Sequence, residues 1–328
     1  MVVITICVIP KPVVEIAEDI KSMRIRGAAR IGRAAAEALK IAAIYYDPNI
    51  HGDYKKYIIM VADYLLKTRP TAITLPNSIK FILKRALSSE AHSPIELTIR
   101  AAQEFIENSL RAQERIAYFG EKLIGDGDVI LTHCNSSSVI LIIIAAKSSG
   151  KNIKVIATET RPRFQGHITA KQLLEAGIDV TLIVDSAVRH FMKDVDLVIV
   201  GADAVAANGA VVNKIGTSQI AVVAKEADRP FYVAAETYKF SPNTMLGELV
   251  PIEERPPSEV IDLEFMKKYP TLKVRNPAFD VTPPEYITAI ITEKGVMPPQ
   301  AVPLILIEEY GWSLGEEYEL ERLIEEEI

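Results

Sequence analysis

The stretch richest in chemistry is Thr132-His133-Cys134-Asn135-Ser136-Ser137-Ser138. The run Asp128–Leu131 before it reads as a buried strand, and Val139–Ala146 after it reads as a helix. That places a thiol where a strand ends and a serine-rich helix N-terminus begins. In open α/β folds ligands bind beyond the carboxyl ends of the strands. A helix N-terminus offers unpaired N–H groups and partial positive charge, which suit phosphate and lower a thiol's pKa. The stretch supplies an anion seat and a candidate acid–base group, although a free cysteine is also commonly a small buried hydrophobe.

Other polar residues fall just past apolar, β-branched runs: Glu159, Arg161 and Arg163; Asp185 and Ser186; Gly201, Asp203 and Asn208; Glu236 and Lys239. A carboxyl edge built this way could gather them. Asp203 follows an apolar run, where a turn-forming aspartate is the plain alternative. Lys214, beside Asn213, sits just before an expected helix start at Thr217, and exposed lysine is its plain alternative, as for Lys239 and Arg69. Arg26-Gly27 precedes a helix that could also seat a phosphate. His133 faces away from Cys134 by the two-residue period of a strand and reads as structural. Five histidines and two cysteines show no metal-ligand spacing.

The elements that must position these groups divide in two. With 328 residues the chain has room for two domains. Helical spacing is expected over Val13–Met23, Ala28–Tyr46, Asp53–Lys67, Asn77–Leu87 and a long helix opened by Pro94. From Gly125 the pattern turns to short strands, Asp128–Thr132, Ile153–Thr158, Val180–Val184, Leu197–Val200, Phe231–Ala235 and Tyr286–Ile291, alternating with helices. The expected fold is therefore α/β: an N-terminal helical domain over residues 1–124 and a Rossmann-like parallel-sheet domain over 125–328. Residues 241–284, rich in proline, read as an ordered excursion. The apolar first ten residues read as a strand or packed arm, and Glu316–Glu327 as a solvated helix.

A net charge of −6 argues against bulk nucleic-acid binding, so an anionic ligand must be held by a local cluster of Arg and Lys. Two cysteines make no disulfide framework and point to a reducing, cytoplasmic compartment. No apolar run approaches the ~20 residues that span a bilayer.

Several stretches together resemble one superfamily: Arg24 to Gly32 (RIRGAARIG), Thr68 to Ala72 (TRPTA), Thr132 to Asn135 (THCN), Glu159 to Gly166 (ETRPRFQG), Gly201 to Asp203 (GAD), Asn208 to Gly216 (NGAVVNKIG) and Asn276 to Pro283 (NPAFDVTP). The superfamily joins the regulatory subunits of translation initiation factor 2B to sugar-phosphate aldose–ketose isomerases, and the likeness runs nearly end to end. Within it, Ala234 to Phe240 (AAETYKF) is similar to the archaeal ribose 1,5-bisphosphate isomerase branch. Methylthioribose-1-phosphate isomerases usually carry proline after Arg-Gly-Ala, where this chain has Ala29, and Ala-Pro where it has Ala235-Glu236. Ser136-Ser137-Ser138 departs from the more varied sequence usual after the asparagine.

The resemblance implies conversion of ribose 1,5-bisphosphate to ribulose 1,5-bisphosphate in nucleoside monophosphate breakdown, with Cys134 as base and Asp203 as acid. Arg26, Gly27, Ala28, Ala29, Arg69, Ser136, Ser137, Ser138, Asn213, Lys214 and Lys239 would contact substrate. It implies no cofactor, no metal, and a homo-oligomer built from dimers, up to a hexamer. The alternatives are a methylthioribose-1-phosphate isomerase and a non-catalytic regulatory subunit. The chemistry asks for a protonated acid and an ionised base. Asp203 is expected protonated in a dry pocket, and Cys134 as a thiolate. Two phosphates bring roughly −3 to −4 charges, which Arg26, Arg69, Lys214 and Lys239 could offset; coming from both halves, they imply a site in a closing cleft.

Overall fold

The computed structural model describes residues 9–25, 27–69, 73–87, 93–241 and 252–310. The first eight residues with Cys7, the acidic segment 316–327, Arg26 and part of the Thr68–Ala72 motif lie outside the described residues. The chain divides into two compact units, with the division between Arg111 and Ala112 falling inside one long helix.

The described part of the first unit is helical: α1 (Lys11–Lys21), α2 (Ala28–Ile44), α3 (Pro48–His51), α4 (Tyr54–Leu66), α5 (Thr74–Leu87) and the start of α6 (Pro94–Gly120). Helix α2 is alanine-rich, and Ala35, Ala36, Ala38, Ala42 and Ala43 are all buried with Leu39. Small side chains let α1, α4 and α5 approach it closely. Asp53 caps α4 by accepting from the Lys56 N–H at 3.0 Å. Helix α5 begins at Thr74 rather than at the expected Asn77, because Pro76 falls in the first turn, where its missing N–H costs no hydrogen bond.

The second unit carries β1 (Val129–Thr132), β2 (Lys154–Thr158), β3 (Asp179–Ile183), β4 (Leu197–Gly201), β5 (Ala204–Ala206), β6 (Val211–Lys214), β7 (Phe231–Ala234), β8 (Phe240–Ser241), β9 (Phe279–Thr282), β10 (Ala289–Thr292) and β11 (Gly295–Met297). Seven strands form one sheet in the order β11-β10-β7-β4-β1-β2-β3, parallel except for β11. Its helices include α7 (Ser137–Ser148), α8 (Gln165–Glu175), α9 (Val188–Phe191), α10 (Thr217–Glu226), α11 (Leu263–Lys268) and α12 (Val302–Tyr310). Ile130, Val155, Leu197 and Ile199 of the sheet pack with Val139, Ile142 and Ile143 of α7 and Leu173 of α8 in one core. The fold is thus the α/β architecture the pattern predicts.

Strand order reverses at β1: the chain runs outward through β2 and β3 on one side, and through β4, β7 and β10 on the other. The carboxyl ends of β1 and β4 therefore flank the switch point, where parallel sheets bind ligands. A second, four-stranded sheet, β8-β5-β6-β9, is new relative to the sequence reading. Its strands are only two to four residues long, too short for a periodic signal. The Asn208-Gly209 pair that turns β5 into β6 is nonetheless a hairpin signature. Lys214, just before the helix start at Thr217, ends β6. The last expected strand starts at Ala289, not Tyr286, because Pro283 and Pro284 open a 3-10 turn first.

Candidate active site

Cys134 sits on the first residues beyond β1 with φ +67°, a left-handed conformation that side chains rarely adopt. Neighbouring strand ends hold it there. Its N–H donates to Thr160 Oγ1 at 2.9 Å, and its carbonyl accepts from Thr169 Oγ1 at 2.7 Å. Thr160 is fixed in turn by Asp185, whose carboxylate accepts from the Thr160 and Arg161 N–H groups at 2.8 and 2.7 Å. The loop between β2 and α8 closes on Gly166, where a Cβ would lie 1.7 Å from the Thr158 carbonyl oxygen. No side chain fits there.

His133 is buried and structural, as its side of the strand predicts. Nε2 faces the Ile215 carbonyl at 2.9 Å, so it carries the proton and donates, while Nδ1 accepts from Thr158 Oγ1 at 2.6 Å. Burial pushes its pKa down and keeps the ring neutral, despite Asp185 at 3.9 Å. The ring ties the end of β1 to the loop after β6.

The three serines are each engaged. Ser136 caps α7, its Oγ accepting from the Val139 N–H at 3.5 Å. Gly201 at the end of β4 makes room for it, since a Cβ there would stand 2.6 Å from that Oγ. Ser137 Oγ accepts from Gln113 Nε2 at 2.8 Å. Ser138 Oγ donates to Glu236 Oε1 at 2.8 Å. Glu236, with no exposed side chain, pairs with Lys239 Nζ at 2.7 Å, and Lys239 is itself only 6% exposed. Burial pushes the Glu236 carboxyl up, but the Lys239 charge and the hydrogen bonds outweigh it and hold the pKa below its ordinary value. Lys239, expected as a cation for phosphate, is in this structure the partner of a buried carboxylate. Glu236 stood out in the sequence only as a polar strand end.

Beyond β6, Lys214 is buried, with Nζ donating to the Ala278 carbonyl at 3.0 Å and lying 4.6 Å from the Phe279 ring centre. Burial lowers its pKa, while Cys134 and Asp203 pull it up. The same neighbours act on the half-buried Cys134. Burial pushes its thiol up to about 11, Lys214 draws it down, Asp203 pushes it up, and Arg255 draws it down. Cys134, Asp203, Lys214 and Arg255 thus form one electrostatic cluster. The expected thiolate is corrected: desolvation outweighs the helix N-terminus and the cations, and the thiol is protonated at neutral pH. Asp203 is half-buried, and its N–H donates to the Val212 carbonyl at 2.9 Å. Asn213 Nδ2 donates to Thr217 Oγ1 at 3.0 Å. Asp280 accepts from the Gly216 N–H at 2.7 Å and from the Ser218 N–H, and burial pushes its pKa up to about 6. It occupies the N-terminus of α10.

The remaining predicted residues belong to the first unit. Gly27 precedes α2 with φ +90°, the Ala28 carbonyl accepts from Thr74 Oγ1 at 2.8 Å, Ala29 is buried, and Arg69 is half-buried just after α4. Arg26 lies outside the described residues. Among the described residues no group of three or more His, Cys, Asp or Glu could hold a metal ion, and no helix is long and apolar enough to cross a membrane.

A parallel sheet with a cysteine, an aspartate and a lysine converging at its switch point defines a class, and sequence comparison names it. The pattern of the Initiation factor 2 subunit family matches residues 24–299, and the chain belongs to that family. It is 55% identical over 298 residues to the ribose 1,5-bisphosphate isomerase of Methanocaldococcus jannaschii, covering 91% of this chain and 95% of that one. It is 42% identical to the methylthioribose-1-phosphate isomerase of Acetivibrio thermocellus, over 88% and 89% of the two chains. The crystal structure of Pyrococcus horikoshii translation initiation factor eIF-2B superposes with a TM-score of 0.76 at 36% identity, covering 88% of this chain and 98% of that one. Within the family, the chain is an isomerase.

Proposed function

We propose that the chain converts ribose 1,5-bisphosphate to ribulose 1,5-bisphosphate, with Cys134 as the base and Asp203 as the acid. A phosphate on carbon 1 blocks the ordinary opening of a hemiacetal ring. Asp203 in its acid form gives a proton to the ring oxygen as the bond from that oxygen to carbon 1 breaks, and the thiolate form of Cys134 takes the proton from carbon 2, leaving an enol. The Cys134 thiol then returns its proton to carbon 1 while the Asp203 carboxylate takes the proton of the carbon-2 hydroxyl, so the ketose forms, both groups recover their starting states and no oxidant is needed. The observation that carries this reading is that Cys134, Asp203 and Lys214 stand close enough to act on one another's charge, which puts a thiol, a carboxyl and a cation within one site. The curated relatives at 51–55% identity are named for this substrate. Ser136 and Ser137 through their hydroxyls, Ser138 through its main-chain N–H in the first turn of α7, and Asn213, Lys214 and Lys239 bind the sugar bisphosphate in this reading, with Arg26, Gly27, Ala28, Ala29 and Arg69 assigned by resemblance. The active species is a cytoplasmic homo-oligomer built from dimers.

One observation favours methylthioribose-1-phosphate as a second reading. Lys239 already has a carboxylate partner, so a substrate with a single phosphate would not leave it idle. Incubating purified chain with each sugar phosphate and following the ketose carbonyl by ¹³C NMR separates the two. The bisphosphate is expected to turn over, and failure of the wild type to convert it overturns the substrate. Cys134→Ser and Asp203→Asn are expected to lose turnover by several orders of magnitude while still binding the bisphosphate. Substantial activity in either variant overturns the acid–base assignment.

A further inference from the structure

We infer that Arg255 is a further anion-binding residue of this site, its guanidinium fork receiving phosphate oxygens beside Lys214. The phosphate's identity as part of the sugar bisphosphate rests on the function proposed above; the anion site itself does not.

Residues 253–256 and 276–278 run together as a strap. The Ala278 N–H donates to the Glu253 carbonyl at 2.8 Å, and the Arg255 N–H to the Asn276 carbonyl at 2.9 Å, around the bridge between Glu254 and Pro277. The Ala278 carbonyl accepts both Lys214 Nζ and the Ile215 N–H. One strap thus fixes Lys214 and carries Arg255. The Arg255 side chain is 6% exposed, and its Nε donates to Glu253 Oε1 at 3.2 Å. Among the described residues nothing accepts from Nη1 or Nη2, and neither belongs to the enclosed polar atoms that lack a partner, so both still reach open space.

A guanidinium this buried is costly to keep unless its donors are met. Among the described residues only one of its five is met by protein. Arg255 also stands close enough to Lys214 to lower that lysine's pKa, and close enough to Cys134 to stabilise its thiolate. Two cations held side by side repel; the Glu253 carboxylate on Nε, and Glu259 in the field of Arg255, offset part of this, and an anion on the two remaining nitrogens and Lys214 removes more of the cost. The planar fork matches two oxygens of a phosphate, whereas an ammonium meets them as a point charge. Arg255 lies in the proline-rich excursion, far from every motif that marks the site in sequence.

Calorimetric titration of the full chain with inorganic phosphate, and KM and kcat for ribose 1,5-bisphosphate, test this. R255Q is expected to weaken phosphate binding and raise KM by about 10- to 100-fold, the range of a hydrogen bond to a charged group, with kcat changed far less. R255K keeps the charge and loses the fork, and is expected to weaken both several-fold. In R255A, added guanidinium at non-denaturing concentration is expected to restore part of the lost affinity, which a merely structural role would not allow. Unchanged phosphate affinity in folded R255Q overturns the assignment. Should R255Q fail to fold, unchanged affinity and KM in R255K overturn it instead. If wild type binds phosphate through Arg255 but does not isomerise the bisphosphate, the substrate proposal fails and the anion site stands.

Discussion

Burial holds the Cys134 thiol at about 11, against an ordinary 9.0 and against the pull of Lys214. A displacement of that size favours the neutral thiol by about 3 kcal/mol. At pH 7.5 about one thiol in 3,000 would be ionised, against about one in 30 at the ordinary value, so thiolate chemistry should run about 100-fold slower than at an unperturbed cysteine. Alkylation of the full chain by iodoacetamide, read on the Cys134 peptide by mass spectrometry, measures this directly. Absolute rates also reflect access, but the pH profile does not. The logarithm of the rate should climb with unit slope from pH 7 to beyond pH 10. Lys214→Gln removes the strongest downward influence and should lower the alkylation rate further at every pH. A plateau below pH 9 in the alkylation profile would refute the claim that desolvation governs this sulfur.

Three further outcomes are expected. Glu236→Gln strands the buried Lys239 ammonium and should cost about 3–5 kcal/mol of stability; in urea unfolding the double variant with Lys239→Met should recover most of it, and a double variant no more stable than the single would remove the pair as the cause. Because the Glu236 carboxyl lies below its ordinary 4.5, this contribution is complete at neutral pH and is lost only as pH falls below about that value. Gly166→Ala must push a Cβ against the Thr158 carbonyl and should cost about 3 kcal/mol or more; an unchanged melting temperature would contradict the packing of that loop. Asp280 should titrate near pH 6 by ¹³C NMR of its carboxyl, and, since its folded pKa is raised, its ionisation should take stability away as pH climbs from about 4 to 6. A midpoint below the ordinary 3.8 would mean that its two backbone donors outweigh its burial.

Much of the scaffold was legible because it is periodic. The β-branched runs and the helices between them give the large sheet, and with it the switch point that brings Cys134 and Asp203 to one edge. The small sheet was not legible, since two to four residues carry no alternation. Yet that sheet sets Lys214 at a strand end and, through β9, puts Asp280 at the start of α10. Arg255 was invisible for another reason: its neighbours in sequence are prolines and glutamates, and only pairing between residues some twenty apart brings it to the cluster. The ionisation of Cys134 could not be read either. Sequence reveals the helix N-terminus and the cations that lower a thiol's pKa, but not how much solvent the fold removes, and here desolvation is the larger effect.

The serine run shows how tertiary contacts divide labour among identical residues. A hydroxyl has one proton to give and two lone pairs to receive with. Ser138 commits its proton to Glu236, so toward a phosphate, which offers only acceptors, it has nothing left to donate. Ser137 and Ser136 spend lone pairs instead, accepting from Gln113 and from the Val139 N–H, and each retains its O–H. Of three side chains that look equivalent in sequence, two therefore stay competent to hold an anion at the head of α7, and the third anchors the buried carboxylate that in turn fixes Lys239. Exchanging the order of these roles would need a different strand beneath them, because Gln113 and Glu236 reach the helix from separate elements.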